Sequence, residues 1–247
     1  MSTVRCELAS DRVAVLTLSR PETRNAIDSA MVHDLLTTIG ELGERGDVGA
    51  IVITGAGRAF CAGGDLEALS RAGREELLEI YESFLVVARS PLVTVAAVNG
   101  PAVGAGLNLA LACDVVIAAP EARFAPRFLD LAIHPGGGST WLLQRAVGSQ
   151  RARAMLFCGV EPDGEEAVRF GLAARCVPSD VLLDEACGLA RRAASTPPEL
   201  VRRLKRTLET MAGVGSQAAA VALELEAQVW STEQPEFRER IEAALAR

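Results

Sequence analysis

Two short glycine-rich stretches carry the residue types that could hold an oxygen as it becomes negative. One is Gly104-Ala105-Gly106, inside Asn99 to Asp114, NGPAVGAGLNLALACD; the other is Cys61-Ala62-Gly63-Gly64, inside RAFCAGGDL. Small residues at such a junction let a ligand approach the backbone closely. The first N–H groups of a following helix lack intrahelical partners and carry partial positive charge. One N–H from each junction, around Ala62 and around Ala105, could converge on a single oxygen. Losing one donor of such a pair typically costs about 2.7–4 kcal/mol of barrier. Each stretch on its own also fits a tight turn with close helix–sheet packing.

The elements that position these stretches follow from the apolar pattern. Val93 to Val98 reads as a buried strand feeding the first junction, and Leu107 to Ala112 as the apolar helix leaving it. Ala50 to Thr54, apolar throughout, reads as a strand of a parallel sheet covered on both faces, feeding the second. Val13 to Leu18 is a strand paired with Val4 to Leu8. Asp28 or Ser29 caps a helix with Met31, Leu35, Ile39 and Leu42 on its inner face. A further helix is expected over Arg74 to Ala88, with Leu77, Tyr81, Phe84, Leu85 and Ala88 on one face. Val115 to Ala119 is another strand, Arg123 to Pro126 a brief extended piece, and Ser139 to Val147 a helix. Beyond it the pattern is mainly helical, roughly 150–158, 164–170, 180–195, 198–212, 216–231 and 236–246, with a short strand at Ala174 to Val177. Alternating strands and helices followed by helices make an α/β core with a helical tail.

Composition narrows the function. The chain has 247 residues, 49% of them hydrophobic, and a net charge of −7. That length suits one large domain with a sizeable core. The acidic balance argues against a nucleic-acid partner. No apolar run reaches the length of a membrane span, and MSTVRCELASDR has no apolar export segment. The six cysteines form no CxxC pair and read as reduced thiols in a cytoplasmic protein. The two histidines, His33 and His134, have no metal-ligand spacing.

Four motifs in register, RPETRNAID, AFCAGGDL, AAVNGPAVGAGLNLALACD and HPGGGSTWLLQRAVG, resemble the crotonase family, the enoyl-CoA hydratase/isomerase superfamily. The resemblance runs from about Val13 to Val177. It implies a spiral of ββα units over 1–178, with 179–247 as a helical trimerisation region. It also implies an acyl-CoA thioester as partner, with coenzyme A part of the substrate and no separate cofactor, and a homotrimer or dimer of trimers. Enolate formation from a thioester puts negative charge on the carbonyl oxygen, the task of a paired N–H site. The resemblance places the oxyanion donors at Ala62 and Ala105. It places coenzyme A contacts at Thr23, Arg24, Ala26 and Ala59, with Asp65 and Leu66 beside the adenine. Asp65 also fits a helix cap, and Arg24 an ordinary surface cation.

The departures from the family pattern concern the reaction. Family hydratases use two glutamates, and their positions here hold Asn108 and Phe128, neither of which exchanges a proton near neutral pH. His134 and Asp130, on the loop before Gly136-Gly137-Gly138, are the remaining candidates, Phe128 lining the acyl end. Histidine suits proton exchange near neutral pH, although His134 also fits a bond to a backbone carbonyl. Asp130 also fits a pair with Arg127, which could instead meet a substrate carboxylate. Ser139 lacks a G-x-S-x-G context, and nothing beside Cys61 would activate its thiol. The tail lacks the late basic segment with which many relatives cover the adenine.

Three readings follow. The first is an acyl-CoA enzyme of the hydratase/isomerase type with altered acid–base residues. The second is a non-catalytic fatty acyl-CoA-binding protein on the same scaffold. The third, a nucleotide-dependent oxidoreductase, fits less well, because Leu109 stands where G-x-G-x-x-G needs its last glycine.

Overall fold

The computed structural model describes residues 2–9 and 11–246. A six-stranded sheet forms its centre. Strands β1 (Val4–Leu8), β2 (Val13–Leu18), β3 (Ala50–Gly55), β4 (Val93–Val98), β6 (Val115–Ala118) and β8 (Arg175–Cys176) follow in the order β1-β2-β3-β4-β6-β8. The β1–β2 pair is antiparallel and the other pairs are parallel. Two further strands, β5 (Pro101–Val103) and β7 (Arg123–Ala125), pair in parallel beside it.

Strand β3 is apolar throughout because both its faces are buried. Ile51 and Ile53 join a core with α1 (Ser29–Glu44) and α3 (Arg74–Ala88). Ala50 and Val52 join a second core beneath α7 (Leu182–Ala194), through Leu182, Ala186, Ala190 and Ala194. The period-2 alternation of strand side chains produces this division. The sheet-covering layer thus extends past residue 178, since α7 seals the second face.

Asp28 caps α1, its Oδ1 accepting from the Met31 N–H at 2.9 Å, while Met31, Leu35, Ile39 and Leu42 point inward as the periodicity predicts. The inner face of α3 is rotated from the expected one. Ile80, Ser83, Phe84 and Val87 are buried, Leu77, Tyr81 and Leu85 are half-buried, and Ala88 is exposed. Ser83 is admitted because its hydroxyl donates to the Ile80 carbonyl at 2.6 Å. The helix α5 (Ser139–Cys158) breaks at Gly148, whose φ of 75° and ψ of 167° interrupt the helical bonding.

The remaining helices are α2 (Leu66–Leu69), α4 (Ala105–Leu111), α6 (Gly164–Phe170), α8 (Pro198–Met211), α9 (Gln217–Thr232) and α10 (Pro235–Leu245). Helix α8 is tied to the sheet by Lys205, whose Nζ donates to Asp114 Oδ2 at 2.8 Å and to the Leu92 carbonyl at 2.9 Å. Asp114 Oδ2 also accepts from the Thr94 N–H and hydroxyl. On α8–α10 many apolar side chains are exposed, among them Leu204, Leu208, Val221, Leu225 and Val229, while Trp230 is half-covered beneath the Arg203 guanidinium.

Candidate active site

The two glycine-rich junctions are brought side by side by backbone pairing. The Cys61 N–H donates to the Pro101 carbonyl at 3.1 Å, and the Val103 N–H donates back to the Cys61 carbonyl at 2.9 Å. Strand β5 is thereby flanked by Cys61 and by β7, and the Gly104 N–H donates to the Ala125 carbonyl at 2.9 Å. Asn99 fastens the strand ends, its Nδ2 donating to the Gly55 and Gly57 carbonyls at 2.9 and 3.1 Å.

Glycine is required where these backbones touch. A Cβ on Gly106 would lie 2.2 Å from the Cys61 carbonyl oxygen, and one on Gly63 would lie 2.7 Å from the Val103 oxygen and 3.5 Å from the Ala105 nitrogen. Gly63 also has a φ of 95°, in the left-handed region.

The loop 23–27 runs against the same junction. The Ile27 N–H donates to the Gly63 carbonyl at 2.7 Å, and the Asp65 N–H donates to the Ile27 carbonyl at 2.8 Å. Asn25, fully buried with a φ of 58°, holds the two loops together. Its Nδ2 donates to the Ala56, Ala59 and Phe60 carbonyls, and its Oδ1 accepts the Arg20 N–H. Thr23, Arg24, Ala26, Ala59, Asp65 and Leu66 therefore belong to adjoining segments, with Arg24 and Leu66 exposed and Ala26 and Ala59 buried. Asp65 caps α2, accepting from the Glu67 and Ala68 N–H groups, and lies 3.8 Å from Arg20.

One of the two expected donors is already engaged. The Ala62 N–H donates to the Arg24 carbonyl at 3.0 Å. The Gly64 N–H has no acceptor among the described residues, and neither has that of Ala105 at the first position of α4. The cause is the alternation of an extended chain: Gly63 and Asp65 pair with Ile27, so the N–H between them faces the other way. The pair left without acceptors is therefore Gly64 and Ala105, while Ala62, expected as a donor, is engaged by Arg24. Sequence reading could have reached Gly64 had the pairing of Ile27 been known.

The side chains around Gly104 and Gly136 carry different chemistry. Phe128 is half-buried, its ring 3.9 Å from where a Cβ on Gly104 would stand. Asn108 is 2% exposed, and its Nδ2 donates to the Gly136 carbonyl at 3.1 Å. Asp130 and His134 are both exposed. His134 Nδ1 lies 2.7 Å from the Pro135 carbonyl; a carbonyl only accepts, so Nδ1 is the donor of that bond, and Nε2 has no hydrogen-bond partner among the described residues. Arg127 pairs with Glu161, not with Asp130, in a two-pronged bond of 2.5 and 2.7 Å. That bond holds the Glu161 carboxyl below the usual carboxylate range. Cys61 is fully buried, and burial pushes its thiol up to about 12, so it is a packing residue and no nucleophile at neutral pH.

This arrangement, an α/β frame that presses two glycine-rich turns together with unpaired N–H groups, has known relatives. The family model described as enoyl-CoA hydratase/isomerase matches residues 9–244. The chain is 46% identical over 241 residues to a Mycobacterium tuberculosis protein named probable enoyl-CoA hydratase EchA14, covering 94% of this chain and 93% of that one. It is 36% identical over 215 residues to the 2,3-dehydroadipyl-CoA hydratase of Escherichia coli, covering 84% of this chain and 82% of that one. The crystal structure of an enoyl-CoA hydratase from Bacillus anthracis superimposes with a TM-score of 0.93 at 29% identity, covering 99% of this chain and 96% of that one. The chain belongs to the enoyl-CoA hydratase/isomerase family and has the crotonase fold. Among the described residues no helix is long and apolar enough to cross a membrane.

Proposed function

We propose that this protein binds acyl-CoA thioesters and stabilises negative charge on the thioester oxygen with the N–H groups of Gly64 and Ala105. The observation that carries this is the contact of the two junctions at Gly63 and Ala105 while both N–H groups lack acceptors. The donors belong to backbone fixed by strand pairing, so little reorganisation accompanies charge development. The loop 23–27 and the segment 59–66 are the proposed seat of coenzyme A, which is part of the substrate.

Acetoacetyl-CoA tests this directly, because its enolate carries the charge the site is proposed to hold. The protein is expected to bind it and raise the enolate absorbance; no binding and no spectral change would overturn the reading. Crotonyl-CoA is expected to be hydrated far more slowly than the median enzyme rate of about 10 per second, because Asn108 and Phe128 supply neither acid nor base. A rate near that median would show that another acid–base pair serves.

Proton transfer at C2 is proposed for His134, whose Nε2 is free. In deuterated water, exchange of the C2 protons of butyryl-CoA is expected to fall at least about 10²-fold in His134→Ala and not in His33→Ala. Equal exchange in all three proteins would remove His134 from the mechanism. Asn108 and Phe128 favour one other reading, a binding protein without turnover; butyryl-CoA that binds with no exchange in the wild type would select it.

The exposed apolar side chains of α8–α10 support assembly into a homotrimer or dimer of trimers. Light scattering is expected to give three or six times the 26.0 kDa chain mass, and a clean monomer at micromolar concentration would refute it.

A further inference from the structure

One guanidinium ties together the two segments that give the Gly64 N–H its direction. Ile27 and Gly64 form an isolated parallel bridge, in which the Ile27 N–H donates to the Gly63 carbonyl and the Asp65 N–H to the Ile27 carbonyl. Each partner of the bridge is followed by an aspartate, Asp28 on one segment and Asp65 on the other. Both aspartates use Oδ1 to start a helix. Asp28 accepts the Met31 N–H of α1 at 2.9 Å, and Asp65 accepts the Glu67 and Ala68 N–H groups of α2 at 3.0 and 3.3 Å. The Oδ2 atoms of both pair with Arg20, whose Nη1 lies 3.1 Å from Asp28 and whose Nη2 lies 3.8 Å from Asp65. Arg20 Nη1 also donates to the Ala26 carbonyl at 2.6 Å. The Arg20 side chain is only 17% exposed, so salt screens these pairs less than it would on an open surface.

This arrangement decides which residue type can serve. Neighbouring parallel segments lie about 4.8 Å apart, so two carboxylates at matched positions repel each other. A cation shared between them removes that repulsion. A guanidinium is planar and carries its donors on separate nitrogens, so it reaches one carbonyl and two carboxylates together, whereas an ammonium is a single point charge on a flexible stem. The backbone of Arg20 completes the clamp. Its N–H donates to Asn25 Oδ1 at 3.0 Å, and its carbonyl accepts the Asn25 N–H at 2.8 Å. Arg20 acts on Gly64 through the flanking aspartates. Consecutive residues of an extended chain point to opposite sides, so opening or slipping the bridge turns the Gly64 N–H away.

We infer that Arg20 is a positioning residue, which holds the Ile27–Gly64 bridge in register and so keeps the Gly64 N–H aimed at the thioester oxygen. The identity of that oxygen rests on the acyl-CoA reading given above; the clamp is read from the chain alone.

The full-length wild type, Arg20→Gln and Arg20→Lys provide the test in two measurements. The first is amide hydrogen exchange without ligand. In Arg20→Gln the Ile27 and Asp65 amides are expected to exchange at least about tenfold faster through local opening, with those of Ile51 to Ile53 on β3 unchanged. The second is the pH at which bound acetoacetyl-CoA is half enolised, read from its absorbance at saturating ligand. It is expected to rise by about one unit in Arg20→Gln, a tenfold loss of preference for the charged form. Weaker affinity or lower stability alone does not move that value, since only bound ligand is read. Arg20→Lys, which keeps the charge and loses the fork, is expected to recover less than half of either change. Unchanged exchange at Ile27 and Asp65, acceleration shared equally by β3, or faster exchange with an unmoved half-enolisation pH would each overturn the inference. Wild-type values in Arg20→Lys would show that bare charge suffices and would overturn the clamp. If acetoacetyl-CoA bound to none of the three proteins, the acyl-CoA reading would fall and the exchange result alone would decide the clamp.

Discussion

Ala105→Pro is expected to weaken binding of enolised acetoacetyl-CoA by about 10²–10³-fold, the loss of one donor from a preorganised pair. The substitution suits the fold. Ala105 is the first residue of α4, where proline is tolerated because that N–H has no helical partner. Gly104 before it has φ 53° and ψ −114°, a conformation open to glycine. The thermal midpoint should therefore stay close to wild type, and a proline variant with full affinity would overturn the assignment. An amide-to-ester exchange removes a donor without adding a ring. At position 64 it is expected to cost affinity on the same scale. At position 62 it should cost only the Arg24 hydrogen bond, about 1 kcal/mol of stability, with enolate binding unchanged. The reverse pattern would restore Ala62 as the donor.

Gly106→Ala is expected to destabilise the junction strongly. The added carbon would stand 2.2 Å from the Cys61 carbonyl oxygen, 2.8 Å from its carbonyl carbon and 2.8 Å from its Cβ. The contact is with backbone held by two hydrogen bonds to β5, so relief requires parting the two junctions. Overpacking of this kind costs roughly 1–3 kcal/mol or more, and each kcal/mol lowers the midpoint of a chain this size by about 2–4 °C. A midpoint about 2–12 °C below wild type, with acetoacetyl-CoA binding lost, is the expected outcome. Gly188→Ala on α7, with nothing within 4 Å of the added carbon, is the control and should be neutral or slightly stabilising. Equal behaviour of the two variants would show that the junctions are not in the contact described.

Much of the frame was legible because its signals are local. The wholly apolar strand from Ala50 to Thr54, the Asp28 cap and the helix from Arg74 to Ala88 are set by neighbouring residues. What was not legible depends on pairing between distant segments. The choice between Ala62 and Gly64 rests on the register of Ile27 against Gly63 and Asp65. Arg127 turns to Glu161, 34 residues away, where sequence proximity suggested Asp130. The inner face of α3 is displaced because Ser83 satisfies its own hydroxyl within the helix, which lets a polar residue occupy a buried position.

The backbone origin of the donors proposed at Gly64 and Ala105 has a consequence for how such a scaffold diversifies. Mutation changes side chains and leaves main-chain amides in place, proline aside. The anchoring of a charged oxygen is therefore inherited independently of the groups that act on the rest of the acyl chain. Asn108 and Phe128 can be exchanged, singly or together, while the thioester stays moored. A library randomised at those two positions should retain acetoacetyl-CoA binding in most folded members while their selectivity for the acyl chain diverges.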